Sequence, residues 1–165
     1  MKTPQDYRPL GCAECAGGAG LDFDFTMAFQ PIVNTTTREV FAYEALVRGL
    51  GDRSATTVFA NVHDGNRYRF DQACRVKAVK LASELRMSAS LSINFMPNAV
   101  YRPELCIRTT LEAARSFDFP IERMIFEITE GEKVEDHAHL REIVQYYKQR
   151  GFKTAIDDFG AGYAG

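Results

Sequence analysis

From residue 25 onward the chain alternates between short apolar runs and longer segments whose apolar residues recur at helical spacing, and no other feature restricts the fold as much. The runs are FTMAFQPIV (Phe25 to Val33), EVFAYEALV (Glu39 to Val47), LSINF (Leu91 to Phe95), RMIFEIT (Arg123 to Thr129) and FKTAID (Phe152 to Asp157). The turn-like NTTTR separates the first two, so they can pair antiparallel. The later runs are too far apart for hairpins. Between them DQACRVKAVKLASELR carries Cys74, Ala78, Leu81, Ala82 and Leu85 on one predicted helical face, behind Asp71 as N-cap. A second helix is expected through Leu105 to Ala114. A third opens at Asp136, carries Leu140, Ile143, Val144 and Tyr147, and ends at Gly151. Strands joined by crossover helices build a largely parallel sheet, so the fold class is α/β. Periodicity alone leaves open whether the sheet is flat or curls into a barrel.

In a parallel sheet the carboxyl ends of the strands share one face, and that is where such folds keep their chemistry. Glu44, Asn94, Glu127 and Asp157 stand at or near those ends, at intervals of 50, 33 and 30 residues, and Asp158 follows directly. A carboxylate in an apolar strand is costly to bury unless its charge is compensated, and several converging carboxylates repel one another. A divalent cation resolves both problems, and an all-oxygen set suits Mg2+ or Mn2+ better than zinc. Arg48, just past the second run, is placed to hold a phosphate oxygen. Gln30 occupies the corresponding stretch of the first run.

Composition excludes several alternatives. A formal net charge of −2 gives no electrostatic footprint for DNA, and no apolar run approaches the ~18 residues a membrane span needs. The N-terminal stretch lacks a secretory pattern, so a cytoplasmic protein is expected. Residues 1–20, rich in Gly, Ala and Pro, read as a flexible leader before one domain over 21–165. Cys12 and Cys15 form a C-x-x-C without the further ligands of a zinc site and are read as a solvated turn. The run from Gly160 to Gly165 spells G-x-G-x-x-G, but a dinucleotide cradle needs a following helix and no carboxylates facing the pyrophosphate. Small residues after paired aspartates instead leave room for a metal-bound substrate.

YEALVRG, SINFMP, FEITE and AIDDFGAGYAG, in this order and at these intervals, resemble the EAL-domain family of bacterial cyclic di-GMP phosphodiesterases. The resemblance implies a TIM-like (β/α)8 barrel with its first strands antiparallel, of which this chain holds about five of eight strands. It implies hydrolysis of cyclic di-GMP to pGpG with two Mg2+ or Mn2+ ions. Glu44, Asn94, Glu127, Asp157 and Asp158 match the family's metal ligands. Among them Glu44, Asp157 and Asp158 serve catalysis directly, with Asp157 bridging the ions. Arg48 and Gln30 match substrate-contacting positions. Two departures stand out. Gly49 occupies a position that is often Trp, and the family's water-contacting lysine and general-base glutamate match nothing in these residues. A polypeptide of these 165 residues is therefore expected to be inactive alone and to self-associate, as a homodimer or in another form, through an open barrel edge. A degenerate module that binds cyclic di-GMP or a protein partner without hydrolysis is the alternative.

Overall fold

The computed structural model describes residues 21–97, 100, 102–128 and 136–157. The expected leader, with Cys12 and Cys15, lies outside them, as do Asp158 and the terminal glycine run. Among the described residues five strands form one sheet in sequence order. β1 (Thr26–Val33) and β2 (Val40–Arg48) pair antiparallel, and β3 (Ser90–Phe95), β4 (Met124–Ile128) and β5 (Lys153–Ile156) follow in parallel. This is the expected start of a TIM-like barrel. The hairpin turns on Asn34, whose Oδ1 accepts from the backbone N–H groups of Thr36 and Thr37 at 2.9 and 3.2 Å. Arg38 closes the turn at φ +62°. Three residues further the register slips, with Ile32 opposite Ala42 and Val33 opposite Val40, so Phe41 is the extra residue of a bulge.

Alternation along the strands separates two faces. Leu91, Ile93 and Phe95 of β3 and Met124 and Phe126 of β4 are buried. They meet the last helix and the connection after it: the Phe126 ring lies 4.8 Å from that of Tyr147 and 5.2 Å from that of Phe152. The opposite face carries Ser92, Asn94 and Glu127, and the chemistry gathers there.

α1 (Ala55–Phe59) is a short helix that periodicity did not announce. α2 (Arg67–Glu84) begins four residues before the expected cap. Asp71 is therefore not an N-cap; it sits one turn inside the helix, buried, and pairs with Arg75 at 2.6 Å. Its Oδ1 accepts from the Met96 backbone N–H at 3.2 Å. Nor is α2 one-faced. Residues 70–76 are buried all round, because the helix is wedged between β3 and the helix over Arg108–Ser116, whereas Leu85 at its end is 65% exposed. The Arg75 guanidinium is fully buried; burial opposes its charge, but Asp71 together with the Tyr147 hydroxyl and Cys106 more than offsets that and holds its pKa above the ordinary range.

The expected helix over 105–114 is broken at Ile107 into α3 (Pro103–Cys106) and α4 (Arg108–Ser116). Small side chains on α4, from Thr109, Thr110, Ala113 and Ala114, let it lie close against α2. α5 (His137–Gln149) starts as expected, with the Asp136 carboxylate accepting from Ala138 and His139 backbone N–H groups at 2.9 and 3.0 Å. Gly151, at φ +94°, ends it in a backbone conformation that favours glycine. No described helix is long and apolar enough to cross a membrane.

Candidate metal centre

Parallel register brings distant residues side by side. Ser92 of β3 lies opposite Glu44 of β2, and Asn94 lies opposite Glu127 of β4. Asp157 follows β5, where its N–H donates to the Ile128 carbonyl at 3.0 Å. Glu44 is not at the end of its strand, since β2 continues to Arg48. The parallel pairing of β2 with β3 stops at Ala45, however, so Glu44 still sits at the rim of the parallel sheet.

The result is a cluster in which carboxylate oxygens of Glu44, Glu127 and Asp157 all lie within 4.8 Å of one another. Asn94 Nδ2 donates to Glu44 Oε1 at 2.7 Å, and Ser92 Oγ donates to Glu127 Oε1 at 2.5 Å. Glu127 is 8% exposed. Burial raises its pKa, the charges of Glu44 and Asp157 add to the rise, and the Ser92 hydrogen bond opposes it. Two carboxylates about 5 Å apart repel by about 3 kcal/mol at an effective dielectric constant near 20, so three of them need a compensating charge.

A cation fits what is present. Asn94 spends its amide N–H on Glu44, and its carbonyl oxygen is buried without a hydrogen-bond partner among the described residues. An orphaned oxygen beside three carboxylates is a donor set for a hard divalent ion, with no nitrogen or sulfur ligand to favour zinc. Of the residues singled out from sequence, Glu44, Asn94, Glu127 and Asp157 thus come together, and Asp158 lies outside the described residues. Gln30 faces Glu44 across the β1–β2 pair and is exposed. Arg48 lies four residues along β2 from Glu44, with its Nη1 donating to the Val47 carbonyl at 2.7 Å.

Ser92 was not singled out. The signal was available: it stands two residues before Asn94 in an extended strand and must share its face. Gly49 has a local explanation. Its N–H donates to the Arg53 carbonyl at 2.9 Å, and a Cβ there would come within 2.7 Å of Arg53 Cβ and 2.8 Å of Thr57 Oγ1. The loop from Gly49 to Arg53 folds back into the space that a side chain would need.

A partial α/β barrel with a carboxylate cluster at the carboxyl ends of its parallel strands is the class that fold and site define. Within that class the chain belongs to the EAL domain family, whose model matches residues 21–165. It is 64% identical to a standalone EAL protein of Vibrio cholerae O395 solved with cyclic di-GMP bound, with a TM-score of 0.84 over 88% of this chain and 62% of that one. It is 30% identical, with a TM-score of 0.77, to Klebsiella pneumoniae BlrP1 in its manganese and cyclic di-GMP complex, covering 86% of this chain and 36% of BlrP1. Among curated proteins it is 30% identical over 139 residues to BluF of Escherichia coli K12, a blue light- and temperature-regulated antirepressor. That match takes in 84% of this chain and 34% of BluF, so the chain spans about a third of that relative's length.

Proposed function

We propose that this chain supplies the metal-holding strands of a cyclic di-GMP phosphodiesterase that linearises its substrate to pGpG. The carrying observation is the cluster of Glu44, Glu127 and Asp157 within 4.8 Å, with the buried Asn94 carbonyl oxygen beside it. Complexes of relatives with cyclic di-GMP, and of BlrP1 with manganese, support the ligand and the kind of ion. Glu44, Asn94, Glu127, Asp157 and Asp158 would hold two Mg2+ or Mn2+ ions. When bound, such a pair supplies an activated water and neutralises the leaving oxygen of an in-line displacement. Asn94 and Ser92 orient the Glu44 and Glu127 carboxylates through the hydrogen bonds described above. Arg48 would release the Val47 carbonyl to meet a substrate phosphate as a planar donor pair, and Gln30 would border the pocket.

On the same reading the protein acts in the cytoplasm, away from DNA and membrane, and the 165-residue polypeptide by itself is inactive and self-associates. The test is a Mn2+ titration followed by a cyclic di-GMP hydrolysis assay on the complete domain and on its Glu127→Gln variant. Tight Mn2+ binding by the parent, weakened in the variant together with hydrolysis, is expected; equal binding by both would remove the basis of the assignment.

The second reading is a non-catalytic receptor for cyclic di-GMP or a protein partner. What favours it is the similarity to BluF, an antirepressor by name. Binding of cyclic di-GMP by the complete protein in Mn2+ without formation of pGpG would decide for it.

A further inference from the structure

Behind the candidate metal centre, on the helix side of the sheet, lies a buried charge that the site itself does not use. Arg75 of α2 has no exposed surface. Its guanidinium carbon stands 5.8 Å from the Phe95 ring centroid and 5.2 Å from that of Phe126. Phe95 directly follows Asn94, and Phe126 directly precedes Glu127, so the two rings are the reverse side of the backbone positions that present those two oxygens. They meet each other edge to face at 5.8 Å. Asp71 pairs with Arg75 at 2.6 Å and also receives the Met96 N–H, the second backbone donor after Asn94. From the other side Arg75 Nη1 donates to the Tyr147 hydroxyl of α5 at 3.0 Å, and the Tyr147 ring packs on both phenylalanines.

Stability alone gives no reason for charges here, because well-packed apolar side chains of similar volume serve a core as well as a buried ion pair or better. What an apolar filler lacks is direction. A planar guanidinium fixed by a carboxylate and a phenol permits one arrangement of the two rings, and the Asp71–Met96 bond adds a fixed exit for β3. We propose that Arg75, held by Asp71 and Tyr147, is a positioning residue for the metal centre: it sets the separation of Asn94 and Glu127 from the far side of the sheet.

The proposal rests on the reading of Asn94 and Glu127 as cation ligands, and the experiment separates the two. Mn2+ affinity is measured by titration on the complete domain, at a temperature where every variant is folded. The paired replacement of Asp71→Leu with Arg75→Met removes the interaction without leaving a lone buried charge, and it should weaken Mn2+ binding by about tenfold. Arg75→Lys, which keeps the charge but not the planar fork, should fall between that variant and the parent. Val79→Ala, a core truncation one turn along the same helix, should destabilise the fold while leaving Mn2+ affinity unchanged. Should the paired variant fail to fold, Tyr147→Phe takes its place: weakened Mn2+ binding supports the proposal and unchanged binding overturns it. Parent-like Mn2+ binding by the folded paired variant, with Glu127→Gln weakened, refutes the positioning role and leaves the metal centre standing. Parent-like binding by Glu127→Gln as well would remove both.

Discussion

At the scale of single residues, the candidate site is built from groups that are poor core residues individually and become acceptable only together. Glu44 illustrates the point: it accepts the Asn94 amide while facing two other carboxylates, so removing it takes away both a proposed ligand and the partner that orients Asn94. In the complete domain Glu44→Ala is expected to lower kcat by at least a hundredfold, whereas Arg48→Ala should chiefly raise KM for cyclic di-GMP. Steady-state kinetics in Mn2+ distinguishes the two, and near-normal turnover by Glu44→Ala would contradict the assigned role. Asp71 makes the complementary case in the core. Asp71→Ala strands the fully buried Arg75 charge and should cost about 3–5 kcal/mol in a denaturant titration. A loss below about 1 kcal/mol would mean that water reaches the pair.

Among the elements, α5 shows how a local signal survives into the structure. Asp136 caps the helix through two backbone N–H groups, and these bonds, with the nearby His139, hold its pKa below the usual 3.8. A carboxyl with a depressed folded-state pKa contributes stability above its unfolded value, and that contribution is lost as pH falls through the folded one. Asp136→Ala should therefore lower Tm by a few degrees near neutrality, and the gap from the parent should close below pH 3.8. A gap independent of pH down to complete protonation would show that the cap acts without its charge. α2 behaves differently, because its boundary is set by what surrounds it. The chain turns helical at Arg67, behind Asn66, which forms no side-chain cap, and Asp71 is drawn into the interior by Arg75.

For the molecule as a whole, the sheet is bounded by β1 and β5, neither of which has a second partner strand among the described residues. Val33, Val40 and Phe41 at the hairpin end are all at least 40% exposed, and Ile156 on β5 is 54% exposed. At ~25 cal/mol per Å², a few hundred Å² of such surface favours association by several kcal/mol before entropy is charged. A polypeptide of residues 1–165 alone should elute from size exclusion as a dimer or larger, with light scattering giving the mass. It should also show no cyclic di-GMP turnover in Mn2+. A stable monomer with turnover near 1 s⁻¹, ordinary for an enzyme, would overturn both expectations.

Much of this was written along the chain. Strand and helix periodicities, the turn at Asn34, the cap at Asp136 and the stop at Gly151 are short-range signals, and each element they announce exists within a few residues of its expected place. The candidate site is legible for the same reason: in a parallel sheet, oxygen ligands near successive strand ends must converge on one face, so the strand pattern alone points to Glu44, Asn94, Glu127 and Asp157. Periodicity could not reveal partners. The Asp71 bond to Met96 spans 25 residues and the Arg75 bond to Tyr147 spans 72, and neither choice follows from any local pattern. Likewise the break at Ile107 and the loop filling the space at Gly49 depend on neighbours brought near only by folding. Burial preference is a property of a residue and its immediate spacing, and a sequence displays it directly. Which polar group satisfies which is a property of the packed interior, where desolvation makes each unpaired group costly and geometry decides who is within reach.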